Sequence, residues 1–217
     1  MIEMLGKNIY YDRFSGTYDA TRANIHAWLS TWAFEWGDKA FADRWVAFQR
    51  EWLRLMHANG YRAGVGGMKT HLFNSGEIVW LAPAIADSDY YFLSEASAPS
   101  VMNGRGYSVL LYRDLHAELV AHLGADKVPP LILDVCVDGR VNKELDRSGG
   151  PWWERGYRDF DISREDYVAS VREYDLETIE DPYVRHVFWF ATNVSKNSQS
   201  FDVNTDMLAV AEGWHGE

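Results

Sequence analysis

Residues 131–146, with the sequence LILDVCVDGRVNKELD, hold the residue types that could do chemistry in this chain. Asp134, Cys136 and Asp138 alternate, and alternate residues of a β-strand point to the same face of the sheet. Two carboxylates on one face could transfer protons or bind a metal ion, and a thiol could act as a nucleophile. The spacing therefore raises the hypothesis of an active or metal site.

Turn chemistry offers a structural interpretation of the same residues. Asp138 and Gly139 form a preferred two-residue turn of a β-hairpin, because both tolerate a positive φ. With that turn, Asp134 lies opposite Lys143 in a favourable cross-strand ion pair. Cys136 becomes a small buried residue, and a thiol of that kind is inert. We predict the structural hairpin, with a site on Asp134 and Asp138 as the alternative.

Motifs for metals and phosphates are incomplete. His116 and His122 lie six residues apart on a predicted helix, hence on different faces, and no HExxH motif occurs. A phosphate-binding loop needs glycine directly before Lys-Thr, whereas Met68 separates Gly67 from Lys69 here. The sequence therefore predicts no metal ion and no cofactor.

An acid–base site without a contiguous motif stays open as the second hypothesis. His71 is predicted on the same sheet as Glu77, and such a pair could exchange protons with a substrate. His186 is flanked by apolar residues, which favours a buried, hydrogen-bonded histidine in the core. A hydrolase-like enzyme for a small molecule would draw its site from His71, Glu77, Asp134 and His186.

The loop GGPWWERGYRDFD, residues 149–161, is the strongest candidate for binding. Two adjacent tryptophans cannot both point inward from an extended segment, and Trp, Tyr and Arg dominate the energetics of protein interfaces. The alternative is that the loop folds down and its tryptophans close the core. The predicted binding residues are Trp152, Trp153, Arg155, Tyr157 and Arg158.

Apolar spacing predicts the secondary structure. Residues 17–37 and 38–60 both carry apolar residues at helical spacing, with Asp38 as the cap between them, so we expect a pair of amphipathic helices over about 18–59. Further helices are predicted near 112–123 and 164–175, the second capped by Ser163 with Asp166 three residues later.

Between and after these helices the chain favours strands. Residues 69–83 predict two strands around a turn at Asn74, Ser75 and Gly76, and residues 183–193 are apolar on both faces, as in a central buried strand. Helices first and strands later indicate an α+β fold with a mainly antiparallel sheet rather than a βαβ alternation. We expect a single α+β domain over 1–217, with the helical pair followed by a sheet-rich remainder from about 61.

Composition bounds the class and the compartment. With 47% apolar residues the chain can bury a core, and no apolar run is long enough for a transmembrane helix. The first residues lack the basic and apolar regions of a signal peptide, and Cys136 is the single cysteine. These observations predict a cytoplasmic protein that does not enter the membrane.

Charge and the lack of motifs lead to a function hypothesis. A formal net charge of −11 argues against non-specific binding to nucleic acid, since phosphates require clustered Lys and Arg. The same charge favours a basic protein partner. We therefore predict a non-catalytic cytosolic binding protein that masks such a partner, as an immunity protein or an inhibitor of a toxin or enzyme does. The small-molecule enzyme is the alternative.

Overall fold

The computed structural model describes residues 27–30, 38–98, 100–102, 109–137, 157–160 and 162–189. Their strands are β1 (Trp28–Ser30), β2 (Ala63–Lys69), β3 (Tyr90–Ser97), β4 (Leu131–Val137) and β5 (Val184–Trp189). Their helices are α1 (Lys39–Ala58), α2 (Ala82–Ala86), α3 (Tyr112–Leu123) and α4 (Arg164–Ile179). Short 3₁₀ turns occupy Thr70–Leu72, Ile78–Leu81, Ala125–Lys127 and Tyr157–Asp159.

The five strands form one parallel sheet in the order β1-β2-β3-β4-β5. In the first pair, Trp28 aligns with Ala63 and Ser30 aligns with Val65, so both strands run in the same direction. Parallel neighbours cannot be joined by a tight hairpin and need a long crossover, which is usually helical. The prediction of an α+β fold with a mainly antiparallel sheet is therefore wrong, and the architecture is α/β.

Of the two predicted N-terminal helices, the second is confirmed and the first is wrong where the structure describes it. The second member is confirmed as α1, and the Asp38 carboxylate caps it by accepting the backbone N–H of Phe41 at 2.8 Å. Trp28–Ser30, inside the first predicted helix, is instead strand β1. A short apolar run fits either a helix or a strand, and pairing with β2 decided between them here. Residues 17–26 and 31–37 of that predicted helix lie outside the described ranges.

Glycines in β2 allow the close approach of β2 to its neighbours. A Cβ atom on Gly64 would lie 2.7 Å from Leu29 Cδ2, and one on Gly66 would lie 2.0 Å from the carbonyl oxygen of Phe92. Gly66 also has a φ of +147°, which L-residues rarely adopt. The glycines that superficially suggest a phosphate loop therefore serve strand packing.

The segment after β2 does not form the two predicted strands around a turn. The turn itself is confirmed, because Gly76 has a φ of 81° and the Glu77 carboxylate accepts the backbone N–H of Asn74 at 2.9 Å. Glu118 of α3 accepts the backbone N–H of Gly76 at 3.0 Å. After this turn the chain forms a 3₁₀ turn and α2, because the crossover to a parallel strand must return along the sheet.

The predicted helices near 112–123 and 164–175 are confirmed. The first is α3, and the second is α4, which continues to Ile179. The Ser163 hydroxyl accepts the backbone N–H of Asp166 at 3.0 Å, so the predicted cap is present. Among the helices of the described ranges, none combines the length and the apolar composition that crossing a bilayer requires.

The structure contains two compact units. The first takes the described residues up to Leu93 together with Arg113–Leu131. Its core forms where α1 packs against β2, α2 and the turn at Ile78–Leu81. The second takes Ser94–Tyr112 and the described residues from Ile132 onward, with the buried face of α4 in its core. The prediction of a single domain over 1–217 stays a prediction.

Candidate interaction surface

The inner face of α4 is defined by buried side chains at helical spacing. Residues three or four apart lie on the same side of a helix, so one face enters the core of the second unit and the opposite face meets solvent. The buried residues of α4 are Tyr167, Ser170, Val171, Tyr174 and Thr178. These buried positions therefore determine which side of α4 faces the core.

A buried carboxylate secures this inner face. Glu95 of β3 has no exposed surface, and its Oε2 accepts the Tyr174 hydroxyl at 2.7 Å and the backbone N–H of Leu110 at 2.9 Å. Its Oε1 accepts the backbone N–H of Tyr112 at 3.0 Å. Burial raises the pKa of Glu95 to about 7, while the hydrogen bonds from Tyr174 and the backbone lower it. Glu95 thus links β3, α4 and the first residue of α3.

Leu110 shows that this link constrains the backbone. Residues 106–112, GYSVLLY, suggest a strand by their apolar content, but Leu110 has a φ of 62° and α3 begins at Tyr112. A non-glycine residue in the left-handed region is uncommon and disfavoured by its Cβ. The hydrogen bond to Glu95 holds Leu110 in this conformation.

A second contact fixes the end of α4 and the start of β5. The Tyr112 hydroxyl donates to Asp181 Oδ2 at 2.5 Å, and the Tyr112 ring meets the Tyr183 ring edge-on with centroids 6.3 Å apart. Asp181 also closes the turn between the two elements, since its carbonyl accepts the backbone N–H of Val184 at 2.9 Å. The chain therefore leaves α4 in a defined direction.

The outer face of α4 exposes large apolar side chains. Leu176 is 67% exposed and Ile179 is 70% exposed, and Phe188 of β5 is 52% exposed. Leu176 and Ile179 are three residues apart, so their side chains are neighbours on the helix surface. A contiguous exposed apolar patch with a polar rim is a feature of protein interaction sites. We call the exposed face centred on Leu176 and Ile179 the outer face of α4.

Two carboxylates and one arginine lie beside Leu176, and the arginine is Arg172, four residues before it. Glu173 and Glu180 are exposed and lie three residues before and four residues after Leu176, which places them beside it. Neither forms an ion pair with another described residue. Burial raises the pKa of the nearby Asp175. Residues 164–181 carry seven acidic and two basic residues: Glu165, Asp166, Glu173, Asp175, Glu177, Glu180 and Asp181 against Arg164 and Arg172.

The outer face was not among the predicted binding residues, although its signal is in the sequence. Tyr167, Val171 and Tyr174 define one apolar stripe at helical spacing, and Leu176 and Ile179 do not belong to it. Two neighbouring apolar residues away from the buried stripe indicate a second apolar patch on the helix.

The predicted binding loop is described only at its end. Trp152, Trp153 and Arg155 lie outside the described residues. Tyr157 is buried, and its ring stacks on that of Tyr167 with centroids 3.9 Å apart. The exposed Arg158 guanidinium lies 4.8 Å from the centre of the Tyr157 ring. The binding role of these five residues stays a prediction.

The candidates for the acid–base site are distributed over both units. In the first unit, half-buried His71 follows the carboxyl end of β2, and Glu77 holds the Asn74 turn. In the second unit, Asp134 of β4 lies 3.4 Å from the Ser94 hydroxyl, and His186 is exposed on β5.

The expectations of a buried core position for His186 and of a central strand around it are wrong. β5 is the last strand in the order of the described sheet, and Arg185 and His186 are both exposed on it. The predicted turn at Asp138 and Gly139, together with Lys143, lies outside the described residues.

A histidine–aspartate pair, of residue types that could do chemistry, has a structural explanation. His57 Nε2 lies 3.0 Å from Asp89 Oδ2, which also accepts the backbone N–H of Ala63 at 2.8 Å. This pair lies at the amino ends of β2 and β3, whereas parallel α/β sheets bind ligands at the carboxyl ends of their strands. The pair therefore ties α1 to the start of both strands.

Neither a metal site in the described residues nor a similar known protein indicates a function. Within the described ranges, no group of three or more His, Cys, Asp or Glu side chains is placed to hold a metal ion. No protein-family model matches the chain, and no curated protein matches it. The outer face of α4 is the feature on which a proposal of function can be built.

Proposed function

We propose that this chain is a non-catalytic binding protein that masks a basic protein partner through the outer face of α4. The observation that supports the proposal is the exposure of Leu176 and Ile179, with the carboxylates of Glu173 and Glu180 beside Leu176. An immunity protein or an inhibitor that neutralises a toxin or enzyme acts in this way. The proposed compartment is the cytosol, in keeping with a single cysteine, Cys136, that is buried.

The two kinds of side chain would have different tasks in such a complex. Burying a leucine or isoleucine side chain stabilises a complex by roughly 1.5–3 kcal/mol, so Leu176 and Ile179 would supply affinity. The carboxylates and the net charge of −11 would attract a basic partner and increase the association rate, an effect that salt screens. Masking then follows because the bound chain covers the active surface of the partner.

Co-purification with matched variants tests this proposal. The tagged chain is incubated with lysate of its source cells at low and high salt, beside a Leu176→Glu, Ile179→Glu variant. A control variant, Ala40→Glu with Ala47→Glu, adds the same two charges at exposed positions of α1. We expect one stoichiometric partner whose activity is inhibited, retained by the control and lost from the outer-face variant.

Each negative outcome of this experiment would contradict a different part of the proposal. The absence of a partner at either salt concentration would contradict the binding function. Equal capture by the outer-face variant and by the control would contradict the assignment of the surface. Capture without inhibition of the partner would contradict masking.

A small-molecule enzyme is the second candidate, and the position of His71 favours it. His71 follows the carboxyl end of β2, where open parallel sheets form their ligand sites. A thermal-shift screen of small metabolites with the wild-type protein and a His71→Gln variant tests this candidate. A saturable stabilisation that the variant loses would favour the enzyme, and no stabilisation by any compound would count against it.

A further inference from the structure

The outer face of α4 carries a strip of exposed side chains with a helical period. Ala169, Glu173, Leu176 and Glu180 are all exposed, and they follow one another at spacings of four, three and four residues. These spacings keep one line of side chains on the same side of the helix. The eleven residue steps from Ala169 to Glu180 make a strip about 16 Å long. The positions nearest its centre line alternate between small or apolar residues and carboxylates.

This period suits another helix better than an extended strand. Side chains on a partner helix recur every turn, about 5.4 Å, which matches the repeat along α4 over its whole length. Side chains on one face of a strand recur at about 6.6–6.8 Å and would lose register within two or three contacts. A strand would also find no sheet edge on a helix to satisfy its backbone hydrogen bonds.

We propose that the element that packs on the outer face of α4 is an amphipathic helix of the partner, with an apolar ridge flanked by Lys or Arg. This inference rests on the proposed function and specifies the partner's contact element. The apolar ridge packs against Leu176, Ile179 and the small side chain of Ala169. The flanking cations pair with Glu173 and Glu180, as charged residues beside an apolar seam do in helix pairs.

Two labelled synthetic peptides of identical leucine and lysine composition test the inference. One repeats leucine with a helical period, and the other alternates leucine and lysine with a strand period. Both have the same net charge, so non-specific attraction to an acidic protein is equal for the two. Fluorescence anisotropy should show the helical-period peptide binding at least roughly ten-fold more tightly. Equal affinities would overturn the proposal.

A substitution that adds negative charge separates packing from simple attraction. Leu176→Glu increases the negative charge of the strip, so purely electrostatic binding of a cationic peptide would become tighter. If Leu176 packs against the apolar ridge, the same substitution weakens binding by about ten-fold or more. Ala47→Glu on α1 is the charge-matched control and should leave the affinity within about two-fold. Tighter binding by Leu176→Glu would overturn the proposal.

The carboxylates have their own test. Glu173→Gln with Glu180→Gln should lower the affinity for the helical-period peptide and reduce its dependence on salt. Asp114→Asn with Asp126→Asn removes two charges at exposed positions outside α4 and should change neither as much. Equal effects of the two double variants would contradict the pairing of the flanking cations with Glu173 and Glu180. Far-ultraviolet circular dichroism of each variant checks that α4 is retained.

The failure of this inference is distinguishable from the failure of the proposed function. If a lysate partner is captured and inhibited, but the helical-period peptide neither binds selectively nor displaces it, the function stands and the partner contacts α4 in another way. If the peptide binds selectively and no lysate partner is captured, the surface stands and the masking function fails.

Discussion

Tyr174 and Glu95, 79 residues apart in the chain, are joined by a hydrogen bond of 2.7 Å from the tyrosine hydroxyl to the carboxylate. Both side chains are fully buried. This contact decides which side of α4 enters the core, and therefore which side presents Leu176 and Ile179 to solvent. The buried polar contact and the exposed apolar pair are two consequences of the same helix rotation.

Glu95 should give the protein a pH-dependent stability of defined sign. Burial raises the folded-state pKa from 4.5 to about 7, so the folded protein holds this proton more tightly than the unfolded chain. The free energy of unfolding should therefore fall as pH rises between these values, by on the order of 3 kcal/mol. Urea unfolding from about pH 4 to about pH 8 measures the slope, and Glu95→Gln should remove it.

The comparison with Glu95→Gln isolates this one group. Asp175, whose pKa burial also raises, is present in both proteins, so its contribution cancels in the difference. A slope of the same size in the variant would contradict the assignment to Glu95. A stability that rises with pH in the wild type relative to the variant would show that the hydrogen-bond donors outweigh burial.

Removing the hydroxyl of Tyr174 should destabilise the second unit. Tyr174→Phe leaves the buried Glu95 carboxylate with one fewer donor, which costs about 1–3 kcal/mol. Because that hydroxyl lowers the Glu95 pKa, its loss should also shift the pH-dependent step upward. A double-mutant cycle of Tyr174→Phe with Glu95→Gln measures the coupling by chemical unfolding. Additive losses in free energy would contradict the direct contact.

Gly66 should resist substitution far more than Gly76. In Gly66→Ala, the new Cβ would lie 2.0 Å from the Phe92 carbonyl oxygen, so β2 and β3 must separate, and we expect a loss of at least about 3 kcal/mol or no folded protein. Gly76 also has a positive φ, of 81°, but nothing lies within 4 Å of its Cβ position. Gly76→Ala should therefore lose only about 1–2 kcal/mol. Thermal unfolding of both variants measures the contrast, and equal losses would contradict the close approach of β2 and β3.

Gln49 should be replaceable by an apolar side chain with a gain in stability. It is fully buried on α1, and neither its Oε1 nor its Nε2 has a hydrogen-bond partner among the described residues. Gln49→Met keeps the size and removes the desolvation penalty, which should stabilise the fold by about 1–3 kcal/mol. Gln49→Ala is the control, because the cavity it opens should destabilise. A less stable Gln49→Met variant would show that the amide has a partner in solution.

Local signals in the sequence determined α1, α3 and α4 well. The caps at Asp38 and Ser163 bind the backbone three residues ahead, so their geometry is complete within one turn of chain. The same holds for the turn at Gly76 and for the helical spacing of α3 and α4. The apolar residues of α4 outside its buried stripe were also readable, although the loop before α4 was the predicted binding site.

Only the tertiary structure decided the direction of the strands and the nature of β1. Trp28–Ser30 contacts Ala63–Val65, more than thirty residues later, and nothing within the short apolar run itself distinguishes a strand from a helical turn. The tight turn of an antiparallel hairpin can be recognised from its sequence. A parallel pair of strands is joined by a long crossover, usually helical, which has no comparable local signal. The sequence alone therefore determined α1, α3 and α4, the net charge and the lack of motifs. The sheet, the rotation of α4 by Glu95 and the exposed face that results depend on contacts between residues far apart in the chain.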